Sequence, residues 1–349
     1  MKRTWAALLL LLAPSMAQAQ PNLPRPSWLR LDAAAPARVP ADPSVALSPD
    51  ARRIANDVPD EGTPDPGEHY PISNEFSHDL WFEHIRDLGG AFVGVGTDQC
   101  YTLAAVQNAS MLWVVDFDPL VPVVHRIYSV LVPASDGPQA LVDRFDPENE
   151  DATARLLGEA LEGQDGADFV VRAYRRNHRR MHGYLGRVLR ADHDTWLSSE
   201  ALYARVRALF TSGRVVARNG DVTADGALRA VGRAATTLEV PVRVVYFSNA
   251  EQFFPYREDF RLNVQALPTD DRTIVLRTFR EAGVPYPPGE RWHYMVQPMT
   301  DMQARMEENG YRHSRQFVRD LMQRGGRFLG ENAVSVLDSR VPRRFDGND

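Results

Sequence analysis

The rhythm of apolar and polar positions changes at Tyr70. From there onward short apolar runs alternate with stretches of helical spacing. Gly89 to Val95 is a compact apolar run ending beside glycine, which predicts a buried strand, and Thr97 to Ser110 follows as a turn and helix. Met111 to Val115 predicts a second buried strand, and Arg214–Ala217, Val242–Phe247 and Thr273–Leu276 predict three more. Met295 and Val296 mark a sixth strand, placed at the sheet edge. Ala224–Leu238 has helical spacing between two of these strands. Strands alternating with helices predict an α/β domain with a doubly wound, mostly parallel sheet. The domain is expected over residues 71–335. Asp151–Leu161, Phe169–Leu189 and Ser198–Phe210 are helical by period, so a helical insertion is expected at about 131–212, capping the carboxyl edge of the sheet. Met302–Leu329 reads as further helix, and residues 336–349 as a C-terminal tail.

Before Tyr70 the pattern is different. Residues 20–70 hold ten of the 25 prolines. Proline fixes φ and removes a backbone donor, so this stretch is expected to be an extended leader without regular helix or sheet. Trp28, Leu29 and Leu31 are apolar enough to dock part of it on the domain. Residues 1–19 have the order of a cleavable signal peptide: Lys2 and Arg3, an apolar Trp5–Ala13, then Ala17-Gln18-Ala19. The expectation is export to the periplasm or the extracellular space, with no membrane span after cleavage.

Composition narrows the chemistry. Loss of residues 1–19 removes Lys2 and Arg3 and no acidic residue, so the formal charge moves from −6 to −8. An acidic chain has no electrostatic attraction to nucleic acid or anionic lipid. Cys100 is the only cysteine, which excludes an intrachain disulfide and a cysteine metal cluster. Lys2 is the only lysine, so Schiff-base chemistry and a phosphate-binding P-loop lysine are excluded for the mature chain. Neither Gly-x-Ser-x-Gly nor His-Glu-x-x-His occurs.

The residues that suggest a site begin with Gly94-Val95-Gly96-Thr97-Asp98-Gln99, directly after the first strand. Glycines there let the backbone turn tightly and approach a ligand. About twenty residues further on, the second strand ends in Asp116, where a carboxylate can accept from both hydroxyls of a ribose. Strand, Gly-x-Gly, helix, strand and terminal Asp together predict a nucleotide-type crevice.

Gly94, Gly96, the Asp116-Phe117-Asp118-Pro119 run and Gly220-Asp221-Val222 resemble class I S-adenosylmethionine-dependent methyltransferases, a Rossmann-like family. The resemblance implies S-adenosylmethionine as cofactor, with the glycines at its methionine part, Asp116 and Asp118 at the ribose and Asp221 at the adenine. Gly89–Pro119 with Val244–Phe254 resembles, more closely, a family of uncharacterised bacterial proteins with a methyltransferase-like core, over most of residues 70–300. Two positions depart from the enzyme pattern: Phe92 replaces an acidic residue, and Asp98 replaces a third glycine. Asp98 and Gln99 either take over contacts to an amino-acid group or close the pocket to the cofactor.

A second constellation is Ser248-Asn249-Ala250-Glu251-Gln252 after the strand ending at Phe247. The loop after a central parallel strand faces the ligand crevice. Asn249 is therefore the candidate to hold a substrate, and Glu251 the candidate base. Both are expected to share the crevice with Gly94, Gly96 and Asp116, roofed by the helical insertion. Asn74, Glu75 and His78 precede the first strand, where a segment can close over the pocket. His125 is expected to pack. His178 and His182 have metal-ligand spacing on a helix but lie among five arginines, so no metal is expected. Two readings stand: a methyltransferase-like transferase, or a non-catalytic module that binds a small molecule or a cell-envelope partner.

Overall fold

A computed structural model describes residues 39–281, 284–307, 311–323, 327–329 and 334–337. The described residues belong to one compact unit. The expected signal peptide, the docking of Trp28, Leu29 and Leu31, and most of the C-terminal tail lie outside the described residues.

Among the described residues eight strands form one sheet. In chain order they are β1 (Ala91–Gly94), β2 (Met111–Asp116), β3 (Val215–Asn219), β4 (Val242–Ser248), β5 (Ile274–Phe279), β6 (His293–Pro298), β7 (Arg327–Leu329) and β8 (Val334–Val336). Their spatial order is β3-β2-β1-β4-β5-β6-β8-β7. The first five pair in parallel, and β6 runs antiparallel to β5. The sheet is thus mostly parallel and Rossmann-like, with β4 and β5 at its centre and β1 beside β4.

Twelve α-helices among the described residues accompany it: α1 (Pro49–Asn56), α2 (Phe82–Ile85), α3 (Gln99–Gln107), α4 (Leu120–Leu131), α5 (Pro138–Asp143), α6 (Glu150–Ala160), α7 (Ala167–Leu189), α8 (Glu200–Thr211), α9 (Ala227–Thr237), α10 (Glu258–Ala266), α11 (Met299–Glu307) and α12 (Arg315–Gln323). The alternation of side chains along each strand divides the core. Phe92, Leu112, Val114, Val244 and Tyr246 face a layer built from α2 to α8. Ala91, Val93, Trp113, Val242 and Val245 face α1 and α9 to α12. Central strands covered on both faces must be apolar at successive positions, which is why their runs are continuous.

Four expectations are corrected. The insertion does not roof the crevice at the ends of β1, β2 and β4: α5 to α8 pack on α3 and α4 and thicken one helical layer, and only the end of α7 and the segment after it reach the carboxyl end of β1. Residues 49–56 of the leader are helical, because Ser48 caps the start (its Oγ accepts from Ala51 N at 3.1 Å) and Pro49 takes the first-turn position, where its missing N–H costs nothing. Residues 327–329 are strand rather than helix, and the β8–β7 pair they complete moves β6 off the edge.

The leader is tied to β3, the strand at the other edge. Arg214, fully buried, donates to the carbonyls of Pro40, Asp42, Val45 and Ser110. Arg218 donates to those of Val58 and Asn56. Trp113 Nε1 donates to Ala55 O at 3.0 Å from beneath. A covered edge cannot recruit another strand.

Candidate functional site

The carboxyl ends of β1, β2 and β4 enclose a crevice of about 470 Å³. Val95 and Gly96 form its floor, Asp116, Phe117 and Asp118 one wall, and Ser248 and Asn249 another. The side facing them is closed by the segment from Pro66 to Asn74, the end of the leader and the stretch after it, and by Trp292. The expected meeting of Gly96, Asp116 and Asn249 therefore occurs. Parallel neighbouring strands end on the same edge, so loops far apart in sequence converge there.

The glycine turn is held by specific contacts. Gly96 has φ of 91°, and a Cβ there would lie 2.2 Å from Gln99 Nε2. Its N–H donates to Asp116 Oδ2 at 2.7 Å, and its carbonyl meets His125 Nε2 at 3.0 Å. A carbonyl only accepts, so Nε2 of His125 carries the proton and Nδ1 accepts from the Tyr101 hydroxyl at 2.5 Å. Burial pushes His125 down to about 4, so it props the turn as a neutral ring. Gly94 lies beneath the turn: a Cβ would stand 2.6 Å from the Phe92 ring and 3.3 Å from Cys100 Sγ. Phe92, the departure noted in the sequence, fills the space this glycine leaves.

Asp116 is half-buried. Its Oδ1 accepts from Asp118 N at 2.8 Å, and two further acceptor sites remain on the carboxylate. Burial, against the two backbone donors, lifts its pKa to about 6. Asp118 is committed to the leader. Its Oδ1 accepts from His69 Nδ1 and Leu120 N, each at 2.8 Å, and its Oδ2 accepts from Tyr70 N at 3.0 Å. The closing segment is thereby latched to the wall of the crevice.

Asp221 is not in the crevice. Its Oδ1 accepts from Thr223 N and Oγ1, both at 2.7 Å, and closes a local turn. Residues 60–63 lie across the end of β3 instead. Glu61 accepts from Asp221 N and from Ala227 N at the start of α9. Asn219 accepts from Thr63 N and donates to Thr63 Oγ1 and Phe117 O. The place assigned to adenine by resemblance is filled by the chain itself.

Glu251 is also corrected. It is 2% exposed and turned to the opposite helical layer, where Oε2 accepts from Arg277 Nε at 2.5 Å and Oε1 from Tyr256 Oη at 2.6 Å. A carboxylate locked between a buried guanidinium and a hydroxyl is not placed to take a substrate proton.

Beside the crevice, with Gln99 as the common wall, lies a second cavity of about 210 Å³. Glu75, His78, Asp98, Tyr184 and His193 line it. Glu75 is 1% exposed and accepts from Tyr246 Oη, Ser248 Oγ and Thr278 Oγ1 at 2.5, 2.5 and 2.6 Å. Burial alone would raise its pKa, but His78 and these hydroxyls outweigh it and hold the carboxyl below the usual range. Asp98 is buried with Oδ2 accepting from Trp196 Nε1 at 3.1 Å, and desolvation raises it to about 6. Gln99 Oε1 accepts from Thr97 N at 2.9 Å. The position of Asp98 was not readable beforehand, since Trp196 comes from the insertion. Glu75 had one signal: an acidic residue in a segment able to close over the sheet.

Among the described residues no group of three or more His, Cys, Asp or Glu side chains is arranged to hold a metal ion, and no helix is long and apolar enough to cross a membrane. His178 and His182 face separate carboxylates, Glu150 and Asp146. No curated protein matches this chain. Residues 70–338 match a family model described as a domain of unknown function, DUF7790. That match spans most of the sequence, and the chain belongs to the DUF7790 family.

Proposed function

We propose that the protein binds a small molecule of the nucleoside class in the crevice, on a methyltransferase-like variant of the Rossmann fold, and that binding rather than methyl transfer is its role. The observation that carries this reading is the convergence of Gly96, Asp116 and Asn249 around one cavity of about 470 Å³. That volume falls within the range of small-molecule sites, roughly 300–1,000 Å³. Asp116 keeps acceptor capacity for a pair of hydroxyls. The Phe117 side chain is 41% exposed on the same wall, and Tyr70 and Trp292 supply further flat surfaces for a base.

Whole S-adenosylmethionine does not suit these residues. Residues 60–63 fill the end of β3, Asp221 serves its own turn, and Phe92 occupies the place of an acidic contact. Glu251, the candidate base, is spent in an ion pair. These features favour a binding module over a transferase.

The test is native mass spectrometry of the protein purified from its own cells. Retention of a nucleoside-sized adduct that leaves on unfolding is the expected result. An adduct with no base or sugar would overturn the reading. We also infer export from residues 1–19: intact mass should begin at Gln20, and Met1 retained in a soluble cytoplasmic pool contradicts it.

A further inference from the structure

The second cavity contains two buried carboxylates, Glu75 and Asp98, and among the described residues no arginine is hydrogen-bonded to either. Buried charges are normally neutralised by a partner. Glu75 is solvated by three hydroxyls, whereas Asp98 has its Trp196 contact, a long one to Thr97 Oγ1 at 3.3 Å, and Tyr184 beside it. His78 is 6% exposed and lines the same space, yet its Nε2 is buried without a hydrogen-bond partner and stands 3.7 Å from Glu75 Oε2. A buried nitrogen left this way forfeits a hydrogen bond unless something enters the cavity. His193 Nε2, on the far side, is also buried and without such a partner. Tyr184 and Phe76 supply aromatic walls, and Arg187 sits at the rim with its guanidinium 4.9 Å from the Phe76 ring centroid.

We propose that this cavity is a binding site for a small primary ammonium compound, distinct from the crevice, with the Asp98 carboxylate receiving the ammonium N–H groups. Its volume of about 210 Å³ limits the ligand to a few heavy atoms. Negative charge selects the cation, and the aromatic faces add to the attraction. A metal ion suits the cavity less well, since the carboxylates and imidazoles do not converge on one point. Arg187 at the mouth gives a carboxylate on the same ligand a partner, so the class includes simple amines and small amino acids.

The probes are ethanolamine, glycine, ethylene glycol and glycolate, matched in size and differing in charge. They contain neither base nor ribose, so failure here and failure of the nucleoside reading are distinguishable. Titration calorimetry on the full protein should show binding of ethanolamine or glycine and none of the glycol or glycolate. Preference for glycine assigns Arg187 to the ligand's carboxylate, and preference for ethanolamine assigns the site to amines proper. Asp98→Asn keeps an acceptor for Trp196 and should weaken binding by about tenfold or more. Ala191→Phe, at the rim and away from the buried charges, should abolish it, and serves as the test if the Asp98 variant does not fold. Absence of binding by both ammonium probes overturns the proposal. So does equal binding of the neutral glycol, or binding that survives in both variants.

Discussion

Glu75 and Glu251 lie at the same edge of the sheet, on opposite sides of it, and both are almost wholly buried. Glu251 meets Arg277, itself buried, together with Tyr256. Arg277 also donates to Gln297 and lies 4.9 Å from the Phe317 ring centroid. Charge and donors are matched there, and the site is closed. Glu75 meets only hydroxyls and a histidine beyond hydrogen-bonding distance, and it lines a cavity. One carboxylate holds the fold together; the other is kept ionised beside open space. The comparison locates chemistry on the α2–α8 side of the sheet and structure on the α9–α12 side.

The largest effect expected from breaking this contrast is on the closed side. Arg277→Ala leaves Glu251 buried and uncompensated, and should destabilise the fold by about 3–5 kcal/mol. Urea denaturation measures it, and a loss below about 1 kcal/mol would show that the pair is not the fastener described here.

On the open side, Asp98 gives the next effect, with a defined pH signature. Its folded pKa of about 6 lies above the ordinary 3.8, so the folded state binds the proton more tightly than the unfolded state. The resulting stability is fully present below 3.8 and is lost as pH rises through about 6. That difference corresponds to about 3 kcal/mol, an order-of-magnitude figure. Asp98→Asn should therefore gain on the wild type by up to that amount between pH 4 and pH 8. A pH-independent difference between the two proteins would contradict the burial argument.

Glu75→Gln gives a smaller loss, about 2 kcal/mol at neutral pH, because one amide replaces a carboxylate that accepts three hydroxyls. The sign is opposite to that of Asp98. Glu75 is held below its ordinary 4.5, so its contribution is present above that value and lost as pH falls through the folded pKa. Acid titration of stability should show this limb in the wild type and not in the variant.

Much of this arrangement was legible in sequence, for a physical reason. Buried parallel strands need unbroken apolar runs, so β1 to β5 stood out, and their shared edge brought Gly96, Asp116 and Asn249 together. Glu251 was misplaced because its partner, Arg277, comes from β5, and nothing near Glu251 in sequence announces it. In the leader the density of prolines hides a helix start. Ser48-Pro49 is a helix start by position, and Arg214 and Arg218 then tie the segment to β3. β7 and β8 have three residues each, too few for a period of two to show.

The central claim is that the crevice reads a base and a sugar through Phe117 and Asp116. Titration calorimetry of adenosine, S-adenosylhomocysteine, S-adenosylmethionine and NAD against the wild type and Asp116→Asn tests it most directly. The account predicts that adenosine binds and that the variant loses about 1–3 kcal/mol of that binding while keeping its fold. No binding of any of the four by the folded wild type, or equal binding of adenosine by the variant, would contradict it.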